Sequence, residues 1–441
     1  MRYYYPTEYK ALLKLGIPIT IGQIGMTMQN LADNIMVGQH STQELAAAGL
    51  INNLFILALL LTVGFSIGAV PVIGALYAQN KKKEIVGTLK SSITADVLQG
   101  MIVLLALVGL YFFLPFMGQP EELLPLMKPY LLIQVASLPF IFLNNPFKQC
   151  TDSINDTSVS MSITLIGNAL NVFLNWVLIF GNLGLPEMGI IGAGWATFIS
   201  RVLMCVLSVA VFFLRPKYKE YVSHWKECKP TKADILKLNH LGWPIAVQMG
   251  MEVASFSIVA IFAGWLGTNN LAAHQVMLSV SNVVFMAFMG ISTAVSIRVS
   301  NHKGLDNRLG IRHATLAGWE IVLCISAVLS MIVFIFRHEV SLLFTDNEEV
   351  ASIVSVCVYA LILYQLGDGM QCTYLNALRG IGDVKKLMKY SFIAYIIISI
   401  PLSYIFSIPF GWGTFGIWMG FPFGLTIAGV LYMRRFLKLT K

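Results

Sequence analysis

The chain has 441 residues, of which 56% are hydrophobic and only 12% charged, with a formal net charge of +8 and a mean hydropathy of +0.72. Soluble domains average about 25% charged residues, so this composition excludes an ordinary water-soluble globular protein. Apolar runs of the roughly 20 residues needed to cross a ~30 Å hydrocarbon core recur from end to end, which leaves no room for a soluble domain.

The opening segment, MRYYYPTEYKALLKLG, lacks a charged start followed by a short apolar stretch and a small-residue cleavage site, so no removable signal peptide is expected. Apolar windows then predict helices near 14–38, 47–79, 90–115, 126–147, 159–181 and 190–214. The longest polar stretch, residues 215–237, follows as a linker. Six more helices are expected near 238–265, 275–300, 313–337, 350–378, 386–408 and 412–434. The reading is an all-α polytopic membrane protein of twelve transmembrane helices in two six-helix lobes, 1–214 and 238–441, joined by a cytoplasmic linker. A net positive charge raises the question of nucleic acid, but 27 of the 30 Lys and Arg fall on one face of this arrangement. That asymmetry is the positive-inside pattern, so no nucleic-acid partner is needed, and both termini and the linker are expected in the cytoplasm of an inner-membrane, multi-pass protein.

Shifting the sequence by 226 aligns residues 15–50 with 241–276, with Leu15, Gly16, Pro18, Ile19, Gly38, Thr42, Leu45, Ala46 and Ala47 meeting identical partners. A shift of 227 places Asp156 on Asp383. Such agreement indicates duplication. Six helices per repeat give two halves with the same orientation, related by a pseudo-two-fold axis along the membrane normal, with a central cleft as in many transporters.

Enzymatic motifs do not survive inspection. GFSIG (64–68) matches GxSxG, but it sits in an apolar helix rather than a strand-turn-helix, and close helix packing explains it and the spacing of Gly416, Gly420 and Gly424. Walker A, HExxH and dinucleotide patterns are absent. The six cysteines show no CxxC or Cys/His spacing, so free thiols, no structural metal and no cofactor are expected.

Acids within the hydrocarbon core carry the chemistry, because a carboxylate there is costly unless it is paired, hydrated or protonated. Glu252 lies 15 residues, roughly 22 Å of helix, beyond Lys237, and Asp368 lies 11 residues, roughly 16 Å, before Arg379, so both fall near mid-membrane. Neither has a basic residue expected close enough in its own helix to neutralise it, which leaves a transported cation or a proton. Tyr364 stands one turn before Asp368, and Gly367 and Gly369 flank the acid; loosened helix carbonyls there suit a hard monovalent cation. In the first half Asp33 lies towards the outer end of helix 1, and Asn168, Asn171 and Asn175 line one face of helix 5. Asp96, Glu320 and Arg201 read as structural or lining residues. Helices 7 and 8 are rich in Met and Phe, which suit varied flat ligands wherever they line a cleft.

Taken together, ADNIMVG in helix 1, NALNVFLNW (168–176), MGMEVASF around Glu252, AAHQV with AVSIRVS, and LGDGMQ with ALRGIGD resemble the multidrug and toxic compound extrusion (MATE) family, in its NorM-like branch. The resemblance covers the whole chain. It implies a non-enzymatic secondary antiporter that exports small organic, cationic compounds in exchange for Na+ or H+ and works as a monomer in the lipid bilayer. It also implies a cation site at Glu252, Asp368 and Tyr364, with Asp33, Asn171 and Asn175 meeting substrate or a proton. Two alternatives stay open at this point: a flippase for lipid-linked precursors, which shares the wider fold, and a non-transport membrane scaffold.

Overall fold

The computed structural model describes residues 6–116, 121–342 and 347–441. Among them every regular element is helical, and twelve helices are long and apolar enough to cross a membrane. They are α1 (Pro6–His40), α2 (Thr42–Ala78), α3 (Lys82–Phe116), α4 (Leu124–Ser153), α5 (Thr157–Phe180), α6 (Gly189–Leu214), α7 (Lys232–Trp265), α8 (Thr268–Gly304), α9 (Arg308–Ile335), α10 (Glu348–Ile381), α11 (Val384–Ser407) and α12 (Gly413–Leu439). The all-helical expectation holds, and each expected span has its counterpart. The observed helices run longer at their polar ends, as at Pro6–Leu13 and Lys232–Lys237. An apolar window does not register a charged turn that helix propensity nevertheless continues.

Caps and breakers set the boundaries. Asn347 starts α10 by accepting hydrogen bonds from the backbone nitrogens of Glu349 (2.9 Å) and Val350 (3.4 Å), and Gly382 ends it at φ 84°, a conformation that costs glycine little. α2 tightens to a 3-10 turn at Ile67–Ala69 just ahead of Pro71. This is the GFSIG segment, so the uninterrupted helix expected there is not observed. A Cβ on Gly68 would lie 2.7 Å from the Gly242 nitrogen, so the motif serves backbone-to-backbone packing. Gly416, Gly420 and Gly424 do the same for α12: any Cβ there would meet α11 backbone within 2.5–2.6 Å.

The chain folds as two compact units. The N-terminal unit comprises residues 21–246, and the C-terminal unit comprises residues 247–441 together with residues 1–20. Their boundaries fall inside α1 and inside α7. Within the C-terminal unit, the first turns of α1 are held by Glu8, which accepts hydrogen bonds from Arg298 at 2.6 Å and 3.0 Å. In the N-terminal unit the 215–237 segment is itself folded. A short helix, Lys219–Ser223, carries Tyr221, which packs with Cys228, Tyr218, Phe147 and Phe212 in one buried cluster.

Candidate functional site

In the C-terminal unit the candidate residues come from α7 and α10, with support from α11 and α12. Glu252 accepts a hydrogen bond from Gln248 Nε2, one turn earlier on α7, at 3.0 Å. It is also hydrogen-bonded to the Tyr395 hydroxyl of α11, which accepts from Gln371 Nε2 at 2.6 Å. Asp368 is 1% exposed. Its Oδ1 faces Cys372 Sγ at 3.6 Å, and its Oδ2 has no partner. The two carboxylates are within electrostatic range of each other, and the Tyr364 phenol is within range of both. The fold therefore brings Glu252, Asp368 and Tyr364 together. Tyr364 is oriented by edge-on contacts with Trp418 and Phe421 of α12, at ring-centroid distances of 5.7 and 6.3 Å.

Two local expectations are corrected here. α10 stays helical straight through Gly367-Asp368-Gly369, so no backbone carbonyl is released for a ligand. The glycines instead admit neighbours: a Cβ would approach Thr426 Oγ1 to 2.9 Å at Gly367 and Val322 Cγ1 to 2.8 Å at Gly369. Close packing, not helix loosening, is their role. Second, a basic residue of α10 does serve the site. Arg379 is 2% exposed and donates from Nη2 to Gln248 Oε1 at 2.5 Å, within electrostatic range of Glu252. Eleven residues are almost a whole number of helical turns, so Arg379 shares the Asp368 face of α10, and from there it meets Gln248 and Glu252 of α7.

In the N-terminal unit Asp33 of α1 accepts from Asn175 Nδ2 of α5 at 2.5 Å and is hydrogen-bonded to Gln29 one turn earlier. With its amide nitrogen turned towards the acid, Asn171 donates to the same Oδ1 at 2.7 Å. Asp33, Asn171 and Asn175 thus form one cluster, while Asn168 lies beside it with its Nδ2 unpartnered. Arg201 of α6, read as structural, is within electrostatic range of Asp33 and donates to Gln134 Oε1 (2.6 Å) and Ser137 Oγ (2.5 Å) of α4. It lies over the Phe55 ring at 4.9 Å. Asp96 sits apart, accepting from Ser66 Oγ at 2.9 Å. Two of the phenylalanines of α7 and α8 are core residues: Phe256 stacks on Phe421 at 4.6 Å and Phe288 is fully buried.

Sequence reasoning missed Gln29, Gln248 and Arg379, and read Arg201 only as a structural or lining residue. One signal was present, since Asp33 of α1 and Glu252 of α7 are each preceded by a glutamine at i−4, on the same helical face.

Buried and half-buried carboxylates held between packed helices of membrane-spanning length fit the class of multi-pass membrane transporters. The MatE family model matches the chain twice, at residues 18–177 and 244–405, and the two matched segments begin 226 residues apart, the offset of the internal repeat. The chain belongs to the MatE family. It is 30% identical to the "Multidrug resistance protein NorM" of Aliivibrio fischeri, covering 99% of this chain and 96% of that protein. It is 29% identical to the protein of the same name from Vibrio cholerae, covering 99% and 97%. The fold matches an outward-facing multidrug resistance MATE family transporter with a TM-score of 0.90 at 22% identity, covering 98% of this chain and 96% of that one. A MOP superfamily transporter from Pyrococcus furiosus, described as having reverse polarity of its binding pocket, matches with a TM-score of 0.89 at 22% identity and the same coverage.

Proposed function

We propose that the chain is a secondary antiporter of the inner membrane that exports organic, cationic compounds in exchange for Na+ or H+, with both termini and residues 215–237 in the cytoplasm. The observation that carries this reading is the meeting of Glu252, Asp368 and Tyr364 in the C-terminal unit, where one buried carboxylate oxygen, Asp368 Oδ2, has no partner. A buried carboxylate oxygen without a donor is costly, and a monovalent cation or a proton satisfies it. Asp33, with Asn171 and Asn175, forms the substrate- or proton-binding cluster of the other unit. Relatives named as multidrug resistance proteins support export of small organic molecules. A flippase for lipid-linked precursors wants free basic side chains for an anionic headgroup, whereas Arg201 and Arg379 are each already hydrogen-bonded to glutamine.

The test is uptake of a fluorescent organic cation into inverted membrane vesicles, with sodium and pH gradients imposed separately. One of the two gradients drives uptake in the native protein, and Glu252→Gln or Asp368→Asn abolishes it. Cation-driven uptake that survives both substitutions would remove the assignment.

A further inference from the structure

The polar groups around Glu252 form one buried chain: Arg379 Nη2 to Gln248 Oε1 at 2.5 Å, Gln248 Nε2 to Glu252 Oε2 at 3.0 Å, and Glu252 to Tyr395, which Gln371 joins at 2.6 Å. Gln248, Gln371 and Tyr395 are 0–1% exposed. Arg379 also donates to Asn376 Oδ1 at 3.4 Å, while its Nε has no partner. The guanidinium therefore retains an unused donor, and it lies within electrostatic range of Glu252. Its position is imposed by the sequence RGIG. Gly380 admits the α8 backbone so closely that a Cβ would lie 2.5 Å from Ser296 O, and Gly382 then ends the helix. Arg379 is thus held in the last turn of α10, where the carbonyl end of the helix favours a cation. The titratable groups interacting with it are Glu252 of α7, Cys372 of α10, Tyr395 of α11 and Tyr432 of α12. Of these, Glu252 is the carboxylate.

A guanidinium stays charged in proteins, so it counts as a fixed +1. Two carboxylates and one guanidinium leave the cluster with one net negative charge. The two acids are also unequal, since Glu252 is embedded in amide, phenol and guanidinium partners and Asp368 has a bare oxygen.

We propose that Arg379, relayed through Gln248, is the internal counterion of Glu252, which makes Asp368 the exchange carboxylate and limits the site to one monovalent cation at a time. This rests on the antiport reading and adds a positioning residue and a charge stoichiometry to it. Around Asp33 the balance differs, because one acid there faces one arginine, Arg201. The unbalanced charge belongs to the C-terminal unit alone among these two clusters.

The experiment uses the full chain in proteoliposomes and reads the half-saturating concentration of the driving ion for drug efflux, with sodium varied at fixed pH and protons varied without sodium. Arg379→Gln raises the cluster to two uncompensated charges. The half-saturating concentration of the driving ion then falls about tenfold or more, as expected for removing a unit charge one amide away at an effective dielectric of roughly 20. Glu252→Gln alone leaves the cluster at net zero and without ion-driven efflux, whereas the paired variant Glu252→Gln/Arg379→Gln restores net −1 and regains measurable ion-driven efflux. An unchanged value in folded Arg379→Gln for both ions would overturn the proposal. If Arg379→Gln alone fails to accumulate, the paired variant carries the test. Removing one partner of a buried pair is far more damaging than removing both, so recovery of folded protein in the pair supports the counterion role and no recovery overturns it. Efflux that persists in both Glu252→Gln and Asp368→Asn defeats the antiport assignment itself, an outcome separate from the other two.

Discussion

Replacing Asp33 by Asn removes a charge while keeping size, and the geometry sets what it should do. The carboxylate receives amides from Asn175 at 2.5 Å, Asn171 at 2.7 Å and Gln29. An asparagine offers one carbonyl oxygen in place of two carboxylate oxygens and turns its own NH2 towards neighbouring donors. At least one amide loses its acceptor, which costs about 1–3 kcal/mol for a buried group. For a unit the size of residues 21–246 this lowers the thermal midpoint by about 2–4 °C per kcal/mol, so folded protein is still obtained. Transport responds more strongly. Losing a hydrogen bond to a charged group, about 1.5–3 kcal/mol, corresponds to an efflux loss of roughly 10- to 100-fold. The assay is drug efflux at several pH values, normalised to folded protein, with thermal unfolding measured in parallel. Normal efflux by Asp33→Asn at every pH would refute the reasoning, and so would a loss of efflux that merely tracks the loss of folded protein.

Other consequences are equally direct. Gly420→Ala places a Cβ 2.2 Å from Ser403 Oγ and 2.5 Å from its backbone nitrogen, so a loss of about 1–3 kcal/mol should appear in thermal unfolding; native stability would show that α11 and α12 are not packed backbone to backbone. Asp156, between α4 and α5, is pushed up by burial, but hydrogen bonds from Lys217 (2.8 Å) and Tyr218 (2.6 Å) and the Lys217 and Arg215 charges more than offset this and hold its carboxyl below the usual range. A depressed carboxyl stabilises the fold above its unfolded value and loses that contribution as pH falls through its folded value. The stability gap between native protein and Asp156→Asn should therefore be full at neutral pH and close only on acidification below the ordinary carboxylate range; a gap independent of pH would contradict this. Cys228 is too buried, at 8% exposed, to report topology. Cysteine at exposed Lys229, in a chain whose exposed Cys324 is replaced, should react with an impermeant reagent only after permeabilisation.

Much of this molecule is written in its local sequence. Twelve spans, their order and the repeat offset of 226 follow from apolar runs that have one low-cost conformation in lipid, the hydrogen-bonded helix. The acids stood out for the same reason: in a hydrocarbon setting Asp33, Glu252 and Asp368 are conspicuous by their cost. What surrounds them was less legible. The glycines beside Asp368 carry the same letters whether they loosen a helix or admit Val322 and Thr426, and only the neighbouring helices decide between these. Arg379, grouped by sequence with the cytoplasmic charges, is drawn inside by the Gly380–Ser296 approach and by Gln248 on another helix. The charge of a buried site is a sum over helices far apart in the chain, as the separation between Arg201 and Asp33 also shows. Sequence fixes each ionisable group and its depth along its own helix. Which opposite charge it meets depends on helix packing, because electrostatic partnership is set by distance in space and the chain connects these partners only through more than a hundred intervening residues.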